Sequence, residues 1–168
     1  MNNMLPSADF DFFIGSWRCR HRYLARRLAD CHEWLEFEGI CVVRKILEGY
    51  GNVDESEIGL PGNPYKGMTV RTYDPKTGLW SIYWADSRTP GRMTPPVVGR
   101  FTDGVGTFYG DDECEGCAVR VRFIWSRITR RSARWEQAFS VDGGRHWEDN
   151  WFMDFTRLHE TSQNGGLE

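Results

Sequence analysis

Two pairs of side chains in this sequence could move a proton to or from a bound molecule. His21 could act with Glu38, and Asp86 could act with Tyr109, because each pair combines groups that can accept and donate a proton. Such pairs would suit a cyclase, an isomerase or a dehydratase that needs no cofactor. Both have structural alternatives, since an interior histidine is commonly just hydrogen-bonded and a strand glutamate commonly faces solvent.

Nucleophilic and metal-dependent catalysis have less support. The sequence has no Gly-x-Ser-x-Gly elbow, and none of its five cysteines pairs convincingly with a histidine. Cys114 and Cys117 have the spacing of half a zinc site, but no second Cys-x-x-Cys or His-x-x-x-His accompanies them. We interpret 114–117 as a hairpin turn, expect free thiols and predict no metal site.

The aromatic content favours a pocket for a small molecule. The chain has 8 Trp, 10 Phe and 6 Tyr, residue types that fit strands and also line small-molecule sites. A few polar residues would orient the ligand, and Arg88 or Arg100 would suit a carboxylate. The candidate ligand-binding residues are His21, Glu38 (or Glu36), Asn52, Trp84, Asp86, Arg88, Arg100, Tyr109, Gln137 and Asn150.

Two irregular segments are predicted to form the entrance to this pocket. Residues 50–55 and 84–96 carry polar groups, and the second is a long connection in a chain of short ones. Long loops in compact domains are disproportionately functional. The side chains expected near the ligand entrance are Asn52, Asp54, Asp86 and Arg88.

The elements that must position these residues are strands. Apolar and polar residues alternate with a period of two, and turn residues interrupt the pattern every eight to twelve positions. Two stretches, 8–14 and 46–57, could each form a short helical turn. The predicted strands are 17–24, 33–44, 66–73, 79–86, 97–102, 105–110, 118–126, 133–141 and 147–157, with a tenth if 40–47 is counted separately.

The alternation also predicts which side chains face inward. If Trp17 points inward, then Cys19, His21 and Tyr23 do so too, and the three arginines between them face outward. The last strand mixes polar and apolar groups on both faces, which leaves its inward face open. Other side chains predicted to share lining faces are Trp80, Ile82, Trp84, Asp86, Trp135, Gln137, Phe139, Trp151, Met153 and Phe155.

Short connections predict how these strands assemble. Consecutive strands should pair as a meander, and a meander of this length tends to close because closure removes its exposed edges. We therefore predict an all-β fold, a single antiparallel up-and-down β-barrel of nine to ten strands with one or two short helical turns. The barrel domain should cover 9–158, with a flexible segment at 1–8 and a disordered tail at 159–168.

Four ordered motifs span most of the chain. They are Asp-Phe-x-Phe-x-Ile-Gly-x-Trp at 9–17, Trp-x-Glu-Phe-x-Gly at 34–39, Tyr-Asp-Pro-x-Thr-Gly-x-Trp at 73–80 and Asp-Gly-Gly-x-x-Trp at 142–147. Together they resemble a group of small bacterial lipocalin-like proteins of unknown function in the calycin superfamily. The resemblance implies a closed antiparallel barrel with an internal cavity, and it implies no reaction.

The same resemblance implies roles for two residues and leaves one cofactor open. In lipocalins a tryptophan plugs the closed end and an arginine near the end of the last strand packs across it. Trp17 and Arg157 stand at the matching positions. Some related barrels bind haem through one histidine, so haem remains possible, although no histidine here lies in a diagnostic motif and we otherwise predict no cofactor.

Charge and hydropathy restrict the partners. The net charge is −3 and no long basic block is present, which argues against nucleic acid. No apolar run approaches the roughly 20 residues needed to cross a bilayer, and no signal segment is visible at the start. We therefore expect no membrane or nucleic-acid partner and a cytoplasmic location.

The sequence favours a non-catalytic carrier or sensor of a small apolar or aromatic ligand, one that could carry a carboxylate. The first alternative is the cofactor-free enzyme described above. The second is a dimeric interaction module without a ligand, in which side chains fill the barrel. A homodimer is possible with each of these functions, and the outward arginines of the first strand are a candidate interface.

Overall fold

The computed structural model describes residues 5–158. The segments with alternating apolar and polar residues form ten antiparallel strands. Two short 3₁₀ turns, Asp11–Phe13 and Leu47–Gly49, accompany them. The strands are β1 Gly15–Leu24, β2 Trp34–Ile46, β3 Gly51–Ile58, β4 Tyr65–Asp74, β5 Leu79–Asp86, β6 Val97–Thr102, β7 Val105–Cys114, β8 Cys117–Ser126, β9 Ser132–Ser140 and β10 Glu148–Arg157.

The strands close into a barrel. Each strand pairs antiparallel with the next one along the chain, and β1 also pairs with β10. Trp17 lies opposite Arg157 in that closing pair and opposite Cys41 in the pair with β2. Closure leaves no strand edge unpaired, and the predicted all-β up-and-down barrel is confirmed.

The tenth strand is β3, Gly51–Ile58, and not the segment 40–47 that the sequence suggested. Residues 40–47 are not a separate strand, because β2 runs without a break to Ile46. The additional strand is β3, in the segment predicted to be irregular or helical. Asn52, Asp54 and Ser56 face the barrel interior there, while Glu55 and Glu57 face outward, so both faces carry polar residues and the usual apolar–polar alternation is absent.

The hairpin interpretation of residues 114–117 is confirmed. Cys114 and Cys117 are opposite one another at the ends of β7 and β8, and both thiols are free. Glu115 and Gly116 form the two-residue turn, and both have positive φ, 49° and 80°. This backbone is the kind that two-residue hairpins require.

An aromatic plug closes one end of the barrel, as the resemblance implied. Trp17 is fully buried, and its indole N–H donates to the carbonyl of Phe13 at 2.7 Å. The guanidinium of Arg157 lies 4.2 Å from the Trp17 ring centre and donates to the backbone carbonyls of Phe12 and Ile14. Gly15 has φ 121°, and a β-carbon there would lie 2.6 Å from Arg157 Nη1.

The two predicted chain ends are only partly described. Residues 1–4 and 159–168 lie outside the described residues, so the flexible start and the disordered tail stay predictions. Within 5–158, no helix is long and apolar enough to cross a membrane.

Candidate ligand cavity

The inward-facing side chains enclose a cavity of about 260 Å³ that opens at the end opposite the plug. Small-molecule sites typically occupy ~300–1,000 Å³, so the cavity suits a compact ligand. Its floor lies above Phe13, its wall is aromatic, and its mouth includes the connection between β5 and β6.

A buried ion pair forms part of the floor. Arg71 on β4 donates to Asp54 at 2.7 Å and to Asn52 at 2.9 Å, and all three side chains are buried. The guanidinium also lies 5.1 Å from the ring centre of Phe13 and 5.7 Å from that of Trp125. The prediction that Asn52 and Asp54 lie at the entrance is therefore wrong, because strand β3 carries them down to the closed end.

Two donors at the floor lack a partner. Arg71 Nε and Trp125 Nε1 are buried and make no hydrogen bond to the residues that the structure describes. Both residues line the cavity. Leaving a buried donor unpaired costs about 1–3 kcal/mol. An acceptor oxygen on a bound molecule could satisfy them.

The wall consists of aromatic rings set at right angles to one another. Trp151 makes edge-to-face contacts with Trp84 and Trp135, with ring centres 6.1 and 5.5 Å away. Phe123 packs edge-on against Trp135 at 4.8 Å. Trp84 lies directly over Gly67, where a β-carbon would be 2.1 Å from the indole, so only glycine leaves room for this ring.

His21 is built into this wall as a neutral residue. It is 2% exposed and stacks on Phe37 with ring centres 4.7 Å apart. The Trp151 indole donates to His21 Nδ1 at 3.1 Å, so the proton of the neutral imidazole lies on Nε2. Burial lowers the pKa of His21 to about 4. The ring is therefore uncharged at neutral pH and poorly suited to act as a base.

The histidines give haem little support. His21 Nδ1 is engaged with Trp151, and Nε2 lies 3.0 Å from where a β-carbon on Gly39 would be. Nδ1 is occupied as an acceptor and Nε2 carries the proton, so neither nitrogen offers a lone pair to a metal in this tautomer. His32 and His146 are exposed on the surface. Within residues 5–158, no group of three His, Cys, Asp or Glu side chains could hold a metal ion.

Asp86 and Arg88 lie at the mouth and bind each other. Arg88 Nε and Nη2 donate to the two carboxylate oxygens at 3.1 and 2.8 Å, and Trp84 Nε1 donates to Asp86 at 3.2 Å. Burial acts to raise the pKa of Asp86, but the hydrogen bonds from Arg88 outweigh it and hold the pKa below its usual value. The guanidinium also covers the Tyr65 ring at 3.7 Å.

Two more predicted residues lie inside, and three lie outside. Gln137 lines the cavity and donates to Asn150 at 2.9 Å. Glu38, Arg100 and Tyr109 are on the outer surface, because their inward neighbours on the strands are Phe37, Phe101 and Phe108. Tyr109 packs there against Trp147, and Glu36 pairs with Arg20.

Neither predicted acid–base pair is therefore assembled. Glu38 lies on the other side of the barrel wall from His21, and Tyr109 lies on the other side from Asp86. Side-chain alternation within β2 and β7 separates them. The prediction of an assembled pair is wrong for both.

Three arginines that line the cavity, Arg27, Arg71 and Arg92, are not among the site residues predicted from the sequence. Arg71 follows Tyr65, Gly67 and Thr69 on the inward face of β4, so its register contained a usable signal. Arg27 lies in the connection between β1 and β2, and nothing in the local sequence separated it from its neighbour Arg26. Only the folded chain brings Arg27 to the cavity mouth.

Together these features define the class of protein: a closed, ten-stranded, antiparallel up-and-down barrel with an aromatic internal cavity. A solved structure with a similar fold is the S-type phycobiliprotein lyase CPES from Guillardia theta. It superposes with a TM-score of 0.59 at 11% identity, covering 90% of this chain and 91% of that chain. At this identity the likeness shows the fold alone.

No family model and no curated protein matches the chain. The lipocalin-like fold that the four motifs implied is confirmed by the structural likeness. The narrower resemblance to small bacterial proteins of unknown function stays an expectation.

Proposed function

We propose that the barrel binds a small, flat, apolar or aromatic molecule and acts as its carrier or sensor without catalysing a reaction. One observation carries this proposal: an aromatic cavity of about 260 Å³ whose floor holds buried donors with no protein partner. Rings in the wall would contact the faces and edges of a flat ligand. The phycobiliprotein lyase neighbour supports the barrel architecture only.

The floor narrows the chemistry of the ligand. Arg71 Nε and Trp125 Nε1 would each gain a hydrogen bond from a carbonyl, ether or hydroxyl oxygen at the inner end of the molecule. A purely hydrocarbon ligand would leave both donors unpaired. We therefore expect a ligand with a flat apolar body and an oxygen at the end that enters first.

The two alternatives have weaker support. A cofactor-free cyclase, isomerase or dehydratase needs a positioned acid–base pair, and the pairs expected from the sequence lie on opposite sides of the wall. An interaction module with a filled interior does not account for an empty volume of about 260 Å³. A homodimer and a cytoplasmic location stay predictions.

Calorimetric titration with the neutral aromatic alcohol 2-naphthaleneethanol tests the proposal. Ser56 is a small inward residue of β3 that lines the cavity, so Ser56→Phe should fill the space and weaken binding at least about 10-fold, equivalent to ~1.4 kcal/mol. The matched control is Ser81→Phe, which places the same group on the outer face of β5. It should bind like the wild type.

Two results would contradict the proposal. In the first, the wild type binds no 2-naphthaleneethanol. In the second, Ser56→Phe remains folded by circular dichroism and binds the alcohol as tightly as the wild type does, which would place the binding outside the barrel.

A further inference from the structure

We infer that the ligand carries a carboxylate at its outer end and that Arg27, at the cavity mouth, binds it. This inference rests on the proposed function, because it names the chemical class of the molecule that enters the same cavity. It assigns the carboxylate to a different residue from Arg88 or Arg100, which the sequence suggested.

Arg27 is held in an aromatic frame. Its guanidinium lies 4.5 Å from the ring centre of Tyr23, 5.3 Å from that of Phe139 and 5.7 Å from that of Trp151. Tyr23 is on β1, Phe139 on β9 and Trp151 on β10, so the frame comes from three strands. Such rings fix the plane of the guanidinium and exclude water from its faces.

One edge of this guanidinium is unused. Arg27 Nε and Nη2 are both buried, and neither makes a hydrogen bond. These are the two nitrogens that Arg88 presents side by side to the two oxygens of Asp86. The Asp86–Arg88 pair therefore shows, in the same mouth, the geometry with which the free edge of Arg27 can bind a carboxylate.

Arg27 differs in its charge balance from the other arginines of the cavity. Arg71 is paired with Asp54, Arg88 with Asp86 and Arg92 with Asp112. Among the residues that the structure describes, Arg27 has no ion-pair partner within 4.0 Å. A cation confined among rings without a counterion leaves an unbalanced positive charge that an anionic group would neutralise.

The connection that carries Arg27 is held in place. Both carboxylate oxygens of Glu148 accept the Leu28 amide, at 2.9 and 3.0 Å. This contact fixes the backbone of the residue that follows Arg27.

The residues that line the cavity favour one class of molecule. A flat aromatic body would lie against Trp84, Trp135 and Trp151, with its carboxylate at Arg27. The ligand class is accordingly a small aromatic carboxylic acid of one to a few rings. A neutral molecule of the same shape would contact the aromatic wall but would leave the charge of Arg27 without a counterion.

The test compares two probes that share a 2-naphthol ring system, whose hydroxyl provides the inner oxygen, and differ in the outer end group: 6-hydroxy-2-naphthylacetate and the corresponding alcohol, 6-(2-hydroxyethyl)-2-naphthol. Calorimetric titration of the wild type should give tighter binding of the acid. Arg27→Gln should weaken binding of the acid by roughly 10- to 100-fold, as expected for loss of a bidentate charge-assisted contact. Binding of the alcohol should change by less than about 3-fold, which is about half of the free energy of a tenfold change.

The control for charge is Arg18→Gln. Arg18 is an exposed arginine on the outer face of β1, so this variant changes the net charge equally and should leave both affinities unaltered. Arg27→Lys retains the charge but not the two-pronged edge. It should bind the acid with an affinity between those of the wild type and Arg27→Gln.

Three outcomes would overturn the inference. If Arg27→Gln weakens both probes equally, Arg27 only packs against the ligand. If it leaves acid binding unchanged, the carboxylate lies elsewhere. Either result leaves the proposed function intact. A wild type that binds neither probe would contradict both this inference and the proposed function. If Arg27→Gln does not fold, the same comparison made with Arg27→Lys decides.

Discussion

At the residue scale, the barrel interior holds its ionisable groups in three different ways. Arg71 and Asp54 are buried together as an ion pair. His21 is buried alone and uncharged, because the low polarity around it disfavours the imidazolium. Arg27 is charged but has no counterion among the described residues. The first two arrangements leave no unbalanced charge in the absence of a ligand, and the third does.

The neutral state of His21 makes stability depend on pH. The pKa is about 4 in the folded protein and 6.5 in the unfolded chain, so the unfolded chain binds the proton more readily between these values. The contribution of His21 to the free energy of unfolding should therefore be constant above about pH 6.5. It should fall by up to about 3 kcal/mol as the pH drops to 4. Urea unfolding between pH 4 and 7.5 measures this.

The control for that measurement is His21→Gln, which can still accept a hydrogen bond from Trp151 but cannot titrate. Its stability should fall less steeply than that of the wild type over the same range. Parallel curves for the two proteins would show that His21 is not the group responsible.

At the element scale, the plug is an assembly of three parts. The 3₁₀ turn Asp11–Phe13 provides the carbonyls and an aromatic ring, β1 provides Trp17, and β10 provides Arg157. Arg157 joins them by donating to the backbone of the turn while stacking on the indole. It also donates to the carbonyl of Arg130 at 2.9 Å, in the connection between β8 and β9.

Loss of Arg157 should lower the stability of the fold without changing the ligand affinity of the molecules that remain folded. Arg157→Ala removes the stacking and the hydrogen bonds to backbone carbonyls, which together should lower the free energy of unfolding by about 2–4 kcal/mol. Trp17→Ala should destabilise the fold in the same direction. Denaturant unfolding gives the stability, and titration of the folded fraction with 2-naphthaleneethanol gives the affinity.

Arg157→Lys serves as the comparison for Arg157→Ala, since it keeps a positive charge but loses the planar fork. Its stability should lie between those of the wild type and the alanine variant. An alanine variant with full thermal stability would show that Arg157 has no structural role in the plug.

At the scale of the whole molecule, a closed barrel with an empty interior should gain stability when the interior is occupied. A ligand that binds only the folded state at 100 times its dissociation constant adds about 2.7 kcal/mol. For a domain of this size the melting temperature should rise by roughly 5–10 °C. Thermal melts with increasing 2-naphthaleneethanol measure this, and an equal rise in Ser56→Phe would point to binding outside the cavity.

The architecture could be predicted largely from the sequence because it follows from local patterns. β5 and β6 have the predicted bounds, Leu79–Asp86 and Val97–Thr102. The inward positions of β1 also follow the prediction, from Trp17 to Tyr23. A period of two and short turns are properties of neighbouring residues, so they can be read before the chain folds.

The candidate site could be predicted only in part, for a physical reason seen at particular residues. Asn52 and Asp54 give β3 a polar inward face, so β3 lacks the apolar–polar alternation that usually identifies a strand. The sequence therefore predicts an irregular segment at the cavity entrance there. The pairs His21–Glu38 and Asp86–Tyr109 require both members to face the barrel interior, and the sequence does not settle the face for Glu38 or Tyr109. Choosing a face requires the register between strands, which distant residues decide.

The sequence alone determined that this chain forms a closed barrel lined by aromatic rings and plugged by Trp17. Only the tertiary structure decided that Arg71 is balanced by Asp54 and that Arg27 is not balanced. The frame around Arg27 joins β1, β9 and β10, which meet because the barrel closes. Whether a charge is paired depends on which distant segments are packed against it, and that information is absent from local spacing.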